Sequence, residues 1–291
     1  MLVPWLELEP VAAHLAALSE ATNVDLVAHG TVSDADTIRD TAIAQPLLVA
    51  TALVTARAML GGTLPEGAVV AGHSVGEFGA AALAGVLTDA QALRLVTTRG
   101  AAMAAAAAAS EPTSMAAVLG GEPEAVSAAL AALGLTPANV NGGGQVVAAG
   151  SKSAIAELVA NPPERARVIE LQVAGAFHTH YMSPAVDALA AAASDLSPSE
   201  PTATLLSNAD GAPVASGADA VAGLVRQVAN PVRWDLCMER MLDLGVTGII
   251  EVAPGGVLTG LAKRVMKGVP SVALKAPDDL AAARELMEEH A

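Results

Sequence analysis

Hydrophobic and polar positions along this chain follow two patterns, short β-branched runs and longer segments with apolar residues at helical spacing. The short runs predict strands over residues 69–71, 115–119, 145–150, 167–171, 204–208, 248–252 and 272–274. Two of the intervening helices are predicted to begin beside a proline, at Gln45-Pro46 and at Asn230-Pro231. Because strands alternate with helices, we expect an α/β fold whose main sheet is largely parallel.

One part of the chain has a pattern of its own. Residues 114–172 have the predicted order β-α-β-β-α-β, which matches a ferredoxin-like unit. We therefore predict a small ferredoxin-like subdomain over 114–172. It would be inserted into a larger α/β domain made of residues 1–113 and 173–291.

The segment 69–77 has the order strand, tight turn and helix around a serine, as in a nucleophile elbow. Gly72 and Gly76 flank Ser74 at positions where we expect any side chain to crowd the turn. The following helix would direct its backbone N–H groups at the serine, so the Val75 N–H is the predicted oxyanion donor. A serine in a purely structural turn is the alternative, since G-x-S-x-G alone is a weak signal in a glycine-rich chain.

A serine hydroxyl needs a base to take its proton, and histidine is the usual one. We predict His178, just beyond the last strand of the small subdomain, as this base, with His180 as the alternative. His73 adjoins the serine along the chain and is predicted to line the pocket rim. The only aspartate between Ser74 and His178 is Asp89, at a helix start where it serves as a cap. A histidine oriented by a backbone carbonyl fits better, which makes a general hydrolase the weaker interpretation.

Arg99 stands on a helix that is otherwise apolar and rich in alanine. A permanent charge is costly there unless it meets an anion. Two interpretations are equal on spacing alone. Arg99 binds an anionic group, or it reaches solvent or pairs with Glu77 or Asp89.

Composition narrows the possible partners and the compartment. The net charge is −15 and aromatic residues make up 2% of the chain, so we expect no nucleic-acid partner. No apolar run approaches the roughly 20 residues of a membrane span, and the opening residues 1–5 lack the features of a secretory signal. Cys237 is the only cysteine, which excludes an internal disulfide and fits a reducing cytoplasm.

Several motifs occur together and in a fixed order. They are Gly72-His73-Ser74-Val75-Gly76-Glu77, Arg99-Gly100 with Met103, Gly175-Ala176-Phe177-His178, Asn230-Pro231-Val232-Arg233-Trp234 and the run from Glu251 to Leu261. With this set the chain resembles the malonyl-CoA:acyl carrier protein transacylases of type II fatty-acid biosynthesis, in their actinobacterial form, over nearly its whole length. The resemblance implies a hydrolase-like α/β domain with a ferredoxin-like insertion, in agreement with the order above.

The resemblance also implies a ping-pong acyl transfer that needs no bound cofactor and no metal. Ser74 would attack the thioester of malonyl-CoA with His178 as base. The malonyl group would then pass to the phosphopantetheine thiol that acyl carrier protein carries. Arg99 would hold the free malonyl carboxylate with its planar fork.

Three further roles follow from the same resemblance. Met103 and Phe177 would line the acyl pocket, and the bulk of the phenylalanine would leave no room for an α-methyl group. The backbone carbonyl of Gln227 would orient the catalytic histidine, which accounts for the absent acid.

The sequence departs from the family pattern at its front. The family begins with a strand and a Gly-Gln-Gly loop whose glutamine N–H is the second oxyanion donor, whereas here residues 1–3 lead straight to Pro4-Trp5. Losing one such donor typically costs ~10²–10³ in rate. Two alternatives therefore stay open beside the transacylase, a serine thioesterase or hydrolase, and a carrier-binding module without activity.

Acyl carrier proteins are acidic, so basic side chains are the candidate contacts for this partner. The candidates are Arg94, Arg233, Lys263, Arg264 and Lys267. For any one of them, an ordinary solvated charge is the alternative.

Overall fold

Helices make up most of the structure, as the alanine- and leucine-rich composition favours. The computed structural model describes residues 2–290. The helices are α1 (Glu9–Thr22), α2 (Leu26–Thr31), α3 (Ala35–Arg39), α4 (Thr41–Leu60), α5 (Gly76–Leu83), α6 (Asp89–Ala109), α7 (Pro123–Ala132), α8 (Lys152–Ala160), α9 (Ser183–Ala193), α10 (Gly217–Gln227), α11 (Trp234–Asp243), α12 (Val257–Val265) and α13 (Asp279–His290). Short 3-10 helices cover Val3–Glu7 and His180–Met182.

Strands form two groups, short parallel pairs and one longer antiparallel sheet. The strands are β1 (Val69–Val70), β2 (Thr113–Gly120), β3 (Thr136–Gly142), β4 (Gln145–Ser151), β5 (Ala166–Leu171), β6 (Thr204–Leu205), β7 (Val232–Arg233), β8 (Ile249–Glu251) and β9 (Ser271–Ala273). The fold is therefore α/β with mixed strand pairing.

The larger part of the fold holds two separate parallel pairs, β1 with β6 and β8 with β9. Each strand is only two or three residues long, so the predicted parallel sheet is present in shorter pieces than expected. A cavity of about 680 Å³ lies between the two pairs, lined by residues 68–71 of one and 250–253 of the other. Helices α4 and α5 form another part of its wall through Val49 and Ala80.

The longer sheet has the strand order β5-β2-β4-β3-β7. Its first four strands pair antiparallel, and α7 and α8 pack on one face, where Val126 and Ile155 meet Val118. The opposite face buries Met115 and Val147. Both faces of the central strands are thus covered, as their near-continuous apolar runs require.

Strand β7 corrects the prediction of a helix from Asn230-Pro231. Val232 and Arg233 pair in parallel with Asn139 and Val140 of β3, and α11 begins only at Trp234. The sequence could not indicate this pairing, because its partner lies about ninety residues earlier in the chain.

Helix α4 corrects a second predicted start. It begins at Thr41, before Pro46, because the Asp40 carboxylate accepts a hydrogen bond from the Ala42 N–H at 2.9 Å and caps the first turn. By length and composition the same helix could cross a membrane, although no segment of this kind was predicted from the sequence. It packs against α6, α5 and α1, and 61% of its most apolar window is buried inside the protein.

Candidate active site

Ser74 lies in the turn between β1 and α5. Its φ of +52° is in the left-handed region, where a residue with a side chain is strained. A Cβ at Gly72 would overlap the backbone of Gly76, so the turn can close only with glycine there. At Gly76 a Cβ would meet nothing within 4 Å, which corrects the expectation that both glycines are needed for space.

The side chain of Ser74 lies against a histidine from a distant loop. Its Oγ is 2.7 Å from Nε2 of His178, which is 104 residues away along the chain. His178 follows β5 and is 4% exposed. His180, the predicted alternative, is exposed and stacks its ring on Tyr181.

The other ring nitrogen of His178 determines which tautomer faces the serine. Nδ1 lies 3.1 Å from the backbone oxygen of Gln227, at the end of α10. A carbonyl oxygen only accepts, so Nδ1 carries the proton and Nε2 presents its lone pair to Ser74. Burial, together with the nearby positive charge of Arg99, lowers the pKa of His178 to about 3. The imidazole is therefore neutral near pH 7, as a general base must be.

Arg99 reaches the same serine from α6. Its guanidinium donates to Oε1 of Gln45 at 2.6 Å and to Oε1 of Gln227 at 2.9 Å, and Nη2 is 3.3 Å from Ser74 Oγ. The side chain is 1% exposed, and its Nε has no partner among residues 2–290. Burial lowers its pKa to about 10, so it stays a cation near neutral pH.

The acids that could neutralise Arg99 are engaged elsewhere or are not in contact with it. Asp89 forms ion pairs with Arg57 at 2.8 Å and with His14 at 3.2 Å. Glu77 forms no ion pair with Arg99 in the described part of the chain and acts on it only through space. Arg99 is thus a buried cation whose nearest polar partners are neutral side chains, the setting in which an anionic ligand is most stabilised.

The predicted oxyanion donor is available. Val75 is the N-cap of α5, and none of the hydrogen bonds among the described residues uses its N–H. The positive end of the helix dipole reinforces this donor. Within the described chain, no group of three or more His, Cys, Asp or Glu side chains is arranged to hold a metal ion.

The three remaining predicted pocket residues occupy different positions. His73 lines the cavity between the strand pairs, and its Nε2 lies 2.8 Å from Oδ1 of Asn141 in β3. Phe177 is partly buried between the two hydrophobic clusters that flank the loop of His178. Met103 is 1% exposed, and its sulfur accepts a hydrogen bond from Nε2 of Gln45 at 3.4 Å. Met103 therefore lies behind the side chain that holds Arg99.

Comparison with known proteins assigns the chain to a family. The acyl transferase domain matches residues 6–279. The malonyl CoA-acyl carrier protein transacylase of Mycolicibacterium smegmatis is 52% identical over 286 residues, which cover 96% of this chain and 98% of that protein. The chain belongs to the acyl transferase family, with the malonyl CoA-acyl carrier protein transacylases. This confirms the resemblance seen in the sequence motifs.

Other transacylases of the family agree in sequence and in structure. That of Escherichia coli K12 is 37% identical over 280 residues, covering 93% of this chain and 89% of that protein. The crystal structure of the Mycobacterium tuberculosis enzyme superposes with a TM-score of 0.92 at 49% identity, covering 97% of this chain and 94% of that one. A malonyl-transacylase in complex with its type II PKS acyl-carrier protein superposes with a TM-score of 0.89 at 31% identity, covering 98% of this chain and 94% of that one.

Three polar side chains around Ser74 in this acyl transferase were not predicted as part of the site. The sequence gives Gln45 only as a helix start and Asn208 only as the end of a strand, and it gives Asn141 no role. All three hydrogen-bond to the predicted site residues, Asn208 through the backbone N–H of Ser74 at 2.7 Å. A usable signal for Asn208 was its place directly after a buried strand, since polar residues at strand ends collect at one edge of a parallel sheet.

Proposed function

We propose that this protein transfers a malonyl group from CoA to the phosphopantetheine thiol of an acyl carrier protein through a malonyl-serine intermediate. The main support for this proposal is the set of groups that surround Ser74 Oγ. Ser74 Oγ lies 2.7 Å from a neutral imidazole nitrogen and 3.3 Å from a buried guanidinium. A nucleophile with its base and a cation for a carboxylate thus meet in one site.

In the first half-reaction, Ser74 Oγ attacks the thioester carbonyl of malonyl-CoA while Nε2 of His178 takes the hydroxyl proton. The oxyanion that forms lies beside the N–H of Val75. When the tetrahedral intermediate collapses, the C–S bond breaks and the imidazolium returns its proton to the CoA sulfur. In the second half-reaction, the carrier thiol gives its proton to the same nitrogen and attacks the carbonyl of the serine ester. When this second intermediate collapses, the C–O bond to Ser74 breaks and the imidazolium returns the proton to Ser74 Oγ.

Arg99 selects the acyl group in this proposal. Its two terminal nitrogens are held by the amide oxygens of Gln45 and Gln227, so the planar fork is already oriented when substrate enters. The backbone carbonyl of Gln227 orients His178 at the same time. Gln227 therefore contacts both Arg99, which binds the carboxylate, and His178, which moves the proton.

The acyl pocket and the carrier surface belong to the same proposal. In this proposal Phe177 borders the acyl pocket and His73 lies at its rim. Met103 acts from behind, through Gln45, which orients Arg99. The exposed cations Lys263, Arg264 and Lys267 are at or just beyond the end of α12 and form the candidate contact for an acidic carrier.

The location of α12 supports this choice of carrier surface. Nη1 of Arg264 donates to Oε1 of Gln145 at 3.4 Å, and α12 packs against β3, where a Cβ added at Gly142 would lie 3.2 Å from Val265. The neighbouring Asn141 contacts His73 beside the nucleophile. In contrast, Arg94 donates to the backbone of α1, and Arg233 is paired with Asp235 at 2.7 Å.

We further propose that residues 114–172 form a ferredoxin-like subdomain inserted in a hydrolase-like domain made of 1–113 and 173–291. Its support is the strand order β5-β2-β4-β3 with two helices on one face. The protein acts in the cytoplasm in this proposal, in keeping with a single, buried cysteine. It needs CoA and carrier-bound phosphopantetheine as substrates and no resident cofactor.

The deciding experiment is the intact mass of the protein after brief incubation with malonyl-CoA, beside Ser74→Ala and beside acetyl-CoA as the acyl donor without a carboxylate. A malonyl-sized gain that Ser74→Ala abolishes, and that carrier protein removes, is the expected result. Rapid loss of the acyl group to water instead would support the thioesterase. Carrier binding with no acylation of a folded protein would support the binding module.

A further inference from the structure

A second side chain holds the elbow that presents Ser74, and the mechanism above does not use it. Asn208 follows β6 and is fully buried, with 0% exposure. Its Oδ1 accepts the backbone N–H of Ser74 at 2.7 Å, and its Nδ2 donates to the backbone oxygen of Gly72 at 2.8 Å. One amide therefore joins both sides of the turn.

The partners determine how this amide is oriented. The N–H of Ser74 can only donate and the carbonyl of Gly72 can only accept, so the oxygen of the amide faces the first and the nitrogen faces the second. The backbone N–H of Asn208 donates to Oε1 of Glu77 at 2.8 Å, which fixes the residue against the first turn of α5. Nδ2 also lies 3.6 Å from the sulfur of Cys237 on α11.

The two hydrogen bonds from the Asn208 side chain are needed because the backbone conformation of the elbow is unfavourable by itself. Ser74 keeps a φ of +52° although it carries a side chain. Such a conformation persists only where the surrounding structure holds it, and residues with this strain concentrate at active sites. The two hydrogen bonds of Asn208 end on the peptide groups on either side of His73, directly before the nucleophile, and so set the direction of its Cα–Cβ bond.

We propose that Asn208 is the positioning residue that keeps Ser74 Oγ within hydrogen-bond distance of His178. The proposal rests on Ser74 being the nucleophile, as in the proposed function. Without the amide, the N–H of Ser74 and the carbonyl of Gly72 lose their partners in a buried site, and the turn relaxes toward ordinary backbone angles. The distance from Oγ to Nε2 then lengthens, which lowers the rate of attack and leaves substrate affinity unchanged.

An aspartate at this position makes the test reversible. A protonated carboxylic acid has the donor and acceptor arrangement of the amide, with O–H toward Gly72 and C=O toward Ser74. An ionised carboxylate only accepts and would repel the carbonyl of Gly72. Asn208→Asp should therefore regain both hydrogen bonds to the turn as the pH falls, whereas Asn208→Ala should not.

The readout is the rate of Ser74 labelling by a fluorophosphonate, which needs the aligned nucleophile but no carboxylate, together with kcat and KM for malonyl-CoA. We expect Asn208→Ala to lower the labelling rate and kcat by about 10²-fold with KM unchanged. Because this position is fully buried, we expect the pKa of the new carboxyl to lie well above the usual aspartate value of about 3.9. Asn208→Asp should therefore match Asn208→Ala at about pH 8 and approach the wild-type rate at about pH 5. The ratio to wild type at each pH is the measured quantity, because Glu77 faces the same position and burial raises its pKa to about 7, so it titrates over this range in both proteins. Burial raises the pKa of Cys237, which also faces this position, to about 12, so it stays a thiol throughout.

Asn161→Asp, on the exposed surface after α8, is the matched control for an added carboxyl and should keep a constant ratio to wild type. Circular dichroism at each pH gives the folded fraction to which every rate is normalised. A ratio for Asn208→Asp that does not change with pH, or variants as fast as wild type, would overturn the proposal. If wild type takes the fluorophosphonate but no malonyl group, the proposed function is wrong, and the labelling ratios still decide the role of Asn208.

Discussion

Replacing Arg99 separates its two possible roles, anion binding and support of the neighbouring glutamines. In Arg99→Ala, a malonyl carboxylate loses two charge-assisted hydrogen bonds, each contributing about 1.5–3 kcal/mol. Their sum of about 3–6 kcal/mol corresponds to a fall of about 10²–10⁴ in kcat/KM for malonyl-CoA. Arg99→Lys keeps the charge without the fork, so we expect a smaller loss of about 10–10².

The assay is the acylation rate of Ser74 with malonyl-CoA and, in parallel, with acetyl-CoA. Acetyl-CoA has no carboxylate, so Arg99→Ala should change its rate by less than about tenfold. The comparison is needed because Arg99 also contacts Gln227, whose carbonyl orients His178. Equal losses with both substrates would refute carboxylate recognition and leave Arg99 as a support for the histidine.

Three further predictions follow from the same geometry. Burial and the charge of Arg99 hold the pKa of His178 at about 3, so the base stays unprotonated well below the usual histidine pKa of about 6.5. A plot of kcat/KM against pH should therefore stay level through about pH 6.5. Burial raises the pKa of Glu77 from 4.5 to about 7, so the folded state holds this proton more tightly than the unfolded chain does, and stability is lost as the pH rises through that window. Glu77→Gln should remove this loss, on the order of 3 kcal/mol between about pH 4.5 and 7, in urea unfolding at the two pH values; an unchanged pH dependence would contradict it. Gly72→Ala should abolish acylation and lower the melting temperature, because the added Cβ would overlap the backbone of Gly76. Gly76→Ala should keep the acylation rate within about threefold, because its Cβ would point into open space. Similar losses in both variants would show that the two glycines are equivalent.

Local features of the site could be predicted because their causes are local. The elbow needs a strand, a turn without side chains and a helix within nine consecutive residues, and each of these can be recognised from neighbouring residues. The order of strands and helices over 114–172 follows from short-range periodicity in the same way. The charge of Arg99 on an apolar helix was visible as an anomaly, although two interpretations of it stayed open.

Contacts between distant segments could not be predicted, and these contacts complete the site. The backbone carbonyl of Gln227 had only family resemblance to indicate its role, since every residue has a carbonyl. Asn208 reaches the elbow across 134 residues, and Gln45 reaches Arg99 across 54. Single polar residues of this kind give no periodic signal. Apart from the place of Asn208 directly after a buried strand, the sequence does not indicate which of its many amides will be buried.

The sequence by itself therefore determined the family, the order of the elements and the identity of the nucleophile candidate. Only the tertiary structure decided which histidine faces Ser74, which tautomer it has, and which neutral side chains hold the guanidinium of Arg99. The physical reason is the range of the interactions. Turn geometry and helix periodicity act over a few residues, whereas burial, pKa and hydrogen-bond partners depend on segments that meet only after the chain has folded.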